Sequence, residues 1–449
     1  MATSDHRRPQ GPRIYNLFPT LLGPVPRWRE RLPAISGMGF DWIFLNPVHL
    51  PGASGSLYSI KDTGRLHPLL LGDRKDADGD RLLRDFCAAA GDAGIRVMLD
   101  LVINHSARDG VLVDEHPDWF THDGEGGIQS PSVADLDDPQ QVTVWKDLAE
   151  LDYSERPERK AMLKHWEGVI RHYLGLGFAG FRCDAAYKVP GEVWRRLIDA
   201  ARTKAPEARF FAETLGAPPG EIDQLRGAGF DYQFNSAKWW DFRQGWLLDQ
   251  YESFRDLAPS IAFPESHDTE RLAAETGGDA RESRFLYLFA ALFSTGVMMP
   301  IGYELGFQRP LHVVETGPDD WDAGLAESPF DISDDIARVN AMKAAAPVLN
   351  EEGPQERVTD PNQPLVGLLR RARQGSDRSL ALINPDPEIA QPYGAGTVAE
   401  QLGAAPEDIR EITPAEDDAN DEAAADEGAW HADGEVSVPP RSIRVFVAG

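Results

Sequence analysis

Gly180-Phe181-Arg182-Cys183-Asp184 closes a short apolar run and places a guanidinium and a carboxylate two residues apart at the end of an expected buried strand. In an extended chain residues i and i+2 point the same way, so Arg182 and Asp184 share one face while Phe181 and Cys183 take the other. Burying a carboxylate without a partner is costly, and an adjacent Arg stabilises the ionised form that a nucleophile requires. Taken alone, an R-x-D pattern is more often a structural ion pair. The surrounding chain decides between the two.

Immediately upstream, Met162, Leu163, Trp166, Val169, Ile170, Tyr173 and Leu174 recur at the helical period, which predicts a helix between Pro157 and Leu174 that Gly175 and Gly177 end. The same order of helix, Gly break and strand precedes Phe40 to Leu45 and Ile95 to Val102. Collecting such runs predicts eight strands: Arg13 to Leu17, Phe40 to Leu45, Ile95 to Val102, Ala179 to Asp184, Arg209 to Glu213, Phe230 to Phe234, Ser260 to Pro264 and Gly296 to Ile301. Strands alternating with helices pair in parallel, and eight such units predict a closed α/β (β/α)8 TIM barrel. An open dinucleotide-binding sheet would need a Gly-rich loop after the first strand, and Leu17-Phe18-Pro19-Thr20 does not provide one.

Two stretches break the rhythm. The loop after the third strand is too long for a turn, so residues 106–148 are expected to form a small inserted subdomain, with the barrel built from 1–105 and 149–350. Beyond a helix near Ile336 to Ala345, short alternating runs such as Val366 to Leu369, Leu380 to Ile383 and Ser442 to Val447 predict a C-terminal all-β sandwich over 351–449. Within it, the acidic, Ala-rich run 415–427 reads as a loop or hinge.

A formal charge of -28 argues against a nucleic-acid partner and an anionic membrane surface, both of which call for basic patches. A neutral carbohydrate is compatible with such a surface. Only Cys87 and Cys183 occur, and Cys183 falls within a strand, so no disulfide framework is expected. Met1 to Arg13 lacks an apolar signal region and no apolar run reaches membrane-spanning length, which makes the cytoplasm the expected compartment. No cofactor is expected, and composition leaves the oligomeric state open.

In a barrel of this kind chemistry sits at the C-terminal strand ends. Here those ends carry Asp100-Leu101-Val102-Ile103-Asn104-His105, then Arg182 and Asp184, then Glu213, then Glu265-Ser266-His267-Asp268. Acidic residues are seldom buried without a task, and carboxylates flanking one bond are the equipment of glycoside cleavage. Arg182 favours an ionised Asp184 as nucleophile. Glu213 follows Phe210, Phe211 and Ala212 without a neighbouring cation, which suits it to be acid and then base. Double displacement needs the two carboxyl groups about 5 to 5.5 Å apart.

These segments together resemble the α-amylase family of glycoside hydrolases. Asp100 to His105 is similar to its D-x-V-x-N-H region, Gly180 to Asp184 to its G-F-R-x-D region, Phe211 to Thr214 to the segment bearing the acid/base Glu, and Phe263 to Asp268 to the segment ending in His-Asp. Ala149 to Tyr153, Phe44 to Pro47 with Tyr58, and Gly296 to Glu304 match further regions. The resemblance spans residues 11 to 350. It implies Asp184 as nucleophile, Glu213 as general acid/base and Asp268 as transition-state stabiliser. It further implies Tyr58, His105, Arg182 and His267 around the reacting sugar, with Asp100 buttressing Arg182. The expected activity is cleavage of α-glycosidic bonds in an α-glucan or α-glucoside, with transglycosylation as the alternative and an inactive carbohydrate-binding barrel as a lesser one. Ala185-Ala186-Tyr187-Lys188 departs from the Lys-His usual after the nucleophile in amylases, so Lys188 either replaces that Lys one position later or is a solvated cation. Ser56 to Asp62 and Met298 to Gly302 are similar to the maltosyltransferase branch, whereas His267-Asp268 is closer to ordinary hydrolases. Asn104 matches a calcium ligand of many amylases.

Overall fold

The computed structural model describes residues 11–134, 142–415 and 434–448; most of the acidic run 415–427 lies outside the described residues. Eight parallel strands form a closed barrel: β1 (Arg13–Leu17), β2 (Trp42–Leu45), β3 (Arg96–Leu101), β4 (Gly180–Cys183), β5 (Arg209–Ala212), β6 (Tyr232–Phe234), β7 (Ser260–Ala262) and β8 (Gly296–Pro300), each paired with its neighbours in chain order and β8 with β1. Most are a residue or two shorter than the apolar runs, at the N-terminal end in β2 and β6 and at the C-terminal end in β5 and β8.

The side-chain period of two divides the barrel strands between an inner and an outer apolar face. Trp42, Phe44, Met98, Phe211, Phe234 and Ile261 pack together inside the barrel, while Ile43, Leu45, Val97, Leu99, Phe181, Cys183 and Phe210 join the outer core under the helices. One such helix, Arg159–Gly175, buries Met162, Leu163, Trp166, Ile170 and Tyr173, the face that the periodicity marks. The interior is narrow at Gly180, where a Cβ would stand 2.2 Å from the Arg209 carbonyl oxygen. Register does the decisive positioning. Arg182 lies directly opposite Asp100 on β3 and Phe211 on β5, so residues 100, 182 and 184 continue the inward-facing row upward to the mouth.

The long β3 loop is built from short hairpins. His105–Ala107 pairs with Leu148–Glu150 at its base, and Ser132–Ala134 pairs with Val142–Val144 further out. At the C-terminal end, strands β9 (Gln355–Arg357), β10 (Val366–Arg371), β11 (Arg378–Asn384), β12 (Ile409–Glu411) and β13 (Ser442–Ala448) make an antiparallel sheet in the order β9-β10-β11-β13-β12. Leu368, Ala381, Ile383, Ile443 and Val445 face the barrel's core, whereas Leu369, Leu380, Leu382 and Phe446 face a second cluster. That outer cluster is completed by the two-stranded pair Gln391–Gly394 with Glu435–Val438 and by a helix, Ala395–Leu402. The helix is an addition to the expected all-β region. Its buried face consists of Ala395, Val398 and Leu402 alone, too few positions to establish a period against the flanking alternation.

The seam between barrel and sheet is polar and buried. Lys343 has no exposed surface and donates to the carbonyl oxygens of Ala291 (2.7 Å), Ser294 (2.8 Å) and Leu349 (2.8 Å), and Arg370 donates to those of Leu292 (3.1 Å) and Phe293 (3.0 Å). The two cations thereby satisfy the last carbonyls of helix Ala280–Phe293, which have no partner within the helix. Replacing Lys343 by Met keeps the volume but strips three buried carbonyls of their donor. Lys343→Met should cost about 3 kcal/mol, measured as a lowered midpoint of thermal unfolding.

Candidate active site

Arg182 sits at the centre of the barrel mouth. Its Nη1 lies 3.0 and 2.9 Å from the two carboxylate oxygens of Asp100 and 2.6 Å from Asp184 Oδ1, and its Nη2 lies 3.9 Å from Glu213 Oε2. Three carboxylates from β3, β4 and β5 thus surround one guanidinium. Asp100, Arg182 and Glu213 are buried, and Asp184 is nearly so, opening onto a cavity of about 570 Å³.

Glu213 is held mainly by backbone. Its Oε1 accepts from the Leu215 N–H at 2.5 Å and its Oε2 from the Ala185 N–H at 2.9 Å. Ala185 can aim its N–H there because it adopts a left-handed conformation, φ 38° and ψ 52°, which side chains other than Gly and Asn seldom adopt. Two further backbone bonds, Glu213 N–H to the Cys183 carbonyl (3.1 Å) and Ala186 N–H to the Glu213 carbonyl (3.0 Å), join the ends of β4 and β5. Burial raises the Glu213 carboxyl to about 7 against the lowering pull of Arg182, and burial raises Asp100 to about 7 as well.

Tyr58, from the hairpin after β2, links this centre to β7. Its hydroxyl donates to Asp100 Oδ2 at 2.7 Å and accepts from Asn46 Nδ2 at 3.0 Å, and it lies 2.7 Å from His267 Nε2. Since that hydroxyl proton goes to Asp100, a neutral His267 carries its proton on Nε2. Burial lowers the His267 pKa, favouring the neutral ring, and raises that of Tyr58. The two rings stack at 5.7 Å, 3° from parallel. His267 Nε2 is also 3.1 Å from Asp268 Oδ2, and the Asp268 side chain is 56% exposed at the cavity edge. His105 Nε2 meets the Tyr58 carbonyl at 3.1 Å, and burial lowers its pKa too.

Tyr58, His105, Asp184 and Asp268 therefore line one cavity, with Asp100, Arg182, Glu213 and His267 packed behind them. Lys188 also borders the cavity, but its ammonium pairs with Glu221 at 3.2 Å and lies over the Tyr187 ring. Glu265, grouped with His267 in the sequence, instead pairs with Arg271 at 2.8 Å and accepts from the Leu272 N–H, a buried structural contact. Three contributors escaped the sequence reading. Asn16 and Asn46, bonded at 2.8 Å, support the Tyr58 hydroxyl from the ends of β1 and β2, where polar residues at strand ends were the available signal. Trp145 reaches the cavity from the β3 insert; nothing in its local sequence marks it. Asn104 borders the cavity with its Oδ1 buried and unpartnered. No group of three carboxylate, imidazole or thiol side chains converges as a metal cage among the described residues.

The family model for the glucanotransferase domain of glycogen debranching enzyme matches residues 11–122. An α-1,4-glucan:maltose-1-phosphate maltosyltransferase of Burkholderia pseudomallei is 28% identical over 400 residues, covering 87% of this chain and 34% of that protein. An α-amylase of Haloarcula japonica is 27% identical over 289 residues, covering 59% and 39%. The chain therefore spans well under two thirds of the length of these relatives. Among solved structures, trehalose-6-phosphate hydrolase of Bacillus licheniformis superposes with a TM-score of 0.72 at 14% identity, covering 98% of this chain and 99% of that one. The α-amylase of Geobacillus thermoleovorans, complexed with acarbose, gives 0.72 at 16%, covering 98% of each chain; both share the fold. The chain is thus similar in sequence to maltosyltransferases and to an α-amylase, and it shares the fold of α-amylase structures.

The raised Glu213 carboxyl has a consequence for stability. Its folded value of about 7 exceeds the ordinary 4.5, so the protonated form contributes stability at low pH that is lost as pH rises from about 4.5 through about 7. Glu213→Gln keeps the shape and removes the titration. Relative to the parent it should gain on the order of 3 kcal/mol between these limits, read as diverging urea midpoints at pH 5 and pH 8.

Proposed function

We propose that this protein cleaves α-glycosidic bonds of an α-glucan or α-glucoside with retention, through a covalent glycosyl intermediate on Asp184. The observation that carries this reading is the grouping of Asp184 and Glu213 around Arg182 beside an open cavity that Asp268 also borders. In the first step an Asp184 oxygen bonds to the anomeric carbon while the carbon–oxygen bond to the leaving sugar breaks, and the departing oxygen takes the proton of Glu213. In the second, Glu213 accepts a proton from water as the water oxygen bonds to the anomeric carbon, and the bond to Asp184 breaks.

Arg182 and Asp100 hold Asp184 in place. Asp268, at the cavity edge beside His267, stabilises positive charge developing on the sugar, and the His267 and His105 imidazoles meet its hydroxyls. Tyr58 presents a ring face to the sugar. Lys188 would meet the leaving-side sugar only by exchanging Glu221 for it. The maltosyltransferase relatives transfer to a glucan rather than to water, and the same intermediate serves both outcomes; the acceptor alone differs.

Asp184→Asn should lower kcat on maltooligosaccharides by at least about 10³-fold with products separated by chromatography. Equal rates in parent and variant would remove the assignment. Products reveal the acceptor: free reducing sugar marks hydrolysis, and longer oligosaccharides mark transfer. Because the acid must hold its proton, activity should fall as pH rises through about 7, and Glu213→Gln should abolish that limb of the pH profile.

A further inference from the structure

A second cavity of about 550 Å³, the size of a small-molecule site, shares no lining residue with the catalytic one. Three segments wall it: the strand Ile60–Leu66 of the hairpin after β2, the turn Asp76–Asp78 with the start of helix Gly79–Asp92, and one side of helix Arg159–Gly175. Tyr173 ties that helix to the hairpin by donating its hydroxyl to the Thr63 carbonyl at 2.7 Å. The two cavities differ in charge. Asp147, Glu150, Asp184 and Asp268 border the catalytic one against Lys188 alone. In the second, Arg65 and Lys164 balance Asp76 and Asp80, within a chain of net charge -28. Arg65 donates from Nε to Asp76 Oδ2 at 3.0 Å, and His172 Nε2 stands 3.1 Å from Asp80 Oδ1. Each carboxylate thus keeps its other oxygen open, and Lys164 has no hydrogen-bond or ion-pair partner among the described residues.

Gly168 is an independent indication of a ligand. Lys164, Gly168 and His172 follow one another at four-residue steps along one face of helix Arg159–Gly175, and all three line the cavity. Glycine weakens a helix interior relative to alanine, and a positive φ or close packing is the ordinary reason to keep it. Neither holds here, since the residue lies in regular helix and a Cβ on it would meet nothing within 4 Å. Nothing in the chain requires glycine at this position; a molecule pressed against the helix does. The bare backbone makes a floor between Lys164 and His172, whose Cα atoms stand about 12 Å apart along the axis, a span that suits one monosaccharide with its phosphate.

We propose that this cavity binds a small phosphorylated sugar, with its phosphate on Lys164, its ring over Gly168 and its hydroxyls on the open oxygens of Asp76 and Asp80. The acidic catalytic mouth repels such an anion, so the two cavities take different molecules. The site stands whether or not Asp184 is the nucleophile.

Calorimetric titration of glucose 6-phosphate into the full chain should show one site, with Kd at least about tenfold below those for glucose and for inorganic phosphate. Lys164→Glu and Gly168→Leu should each raise that Kd at least about tenfold. Both variants should melt no lower than the parent, because neither position is packed and leucine favours the helix. Asp184→Asn should leave the Kd unchanged. No binding of glucose 6-phosphate overturns the inference, as does binding that survives both cavity variants or is lost in Asp184→Asn. Glucose binding equally well removes the role of the phosphate, and inorganic phosphate binding equally well removes that of the sugar; either result also overturns it.

Discussion

Arg182 is enclosed at the top of the barrel, and the rest of the site follows from how its charge is met. A buried cation is stable only when paired and hydrogen-bonded. The parallel register provides this by setting Asp100 directly opposite it, while the alternation of β4 sets Asp184 above it on the same face. Glu213 then arrives on β5 as a third carboxylate against a single positive charge. One guanidinium cannot offset three negative charges in a largely buried cluster, so proton uptake is favoured, and burial does raise Asp100 and Glu213. Burial is the main cause for Glu213, with the neighbouring Asp184 adding to it and Arg182 opposing it.

The Tyr58 hydroxyl extends the same ion cluster outward. By donating to Asp100 and accepting from Asn46 it fixes the direction of proton donation around it, and so the tautomer of His267 across the mouth. Asp268, paired with His267 but largely exposed, is the least confined of the carboxylates. The cavity is consequently rigid on the β3–β5 side, where ion pairs and backbone bonds dominate, and more open at the β7 edge.

Much of this was legible from residue order. The eight βα units read directly from apolar runs and Gly breaks, because barrel strands buried on both faces are nearly continuous hydrophobic segments. Asp100, Arg182, Asp184 and Glu213 stood out because charged residues at the ends of such segments are rare. Residues that reach the site through loops did not. Trp145 enters by way of hairpins whose pairing depends on contacts far along the chain, and its neighbours resemble any polar loop. Glu265 shares the strand end with His267 but serves structure instead, since Arg271, six residues on, pairs with it. The C-terminal helix Ala395–Leu402 stayed hidden because its apolar face comes from packing on a sheet assembled across about 90 residues.

The left-handed turn at Ala185 couples the ends of two neighbouring strands. A side chain normally finds its aim by choosing among rotamers, and those choices fluctuate independently. Here the peptide following Asp184 itself grips the Glu213 carboxylate, at a conformational cost of roughly 1 to 2 kcal/mol, and two more backbone hydrogen bonds tie the flanking segments. The spacing between these two acids is thus inherited from main-chain geometry, and loops around the mouth are free to diverge without changing it.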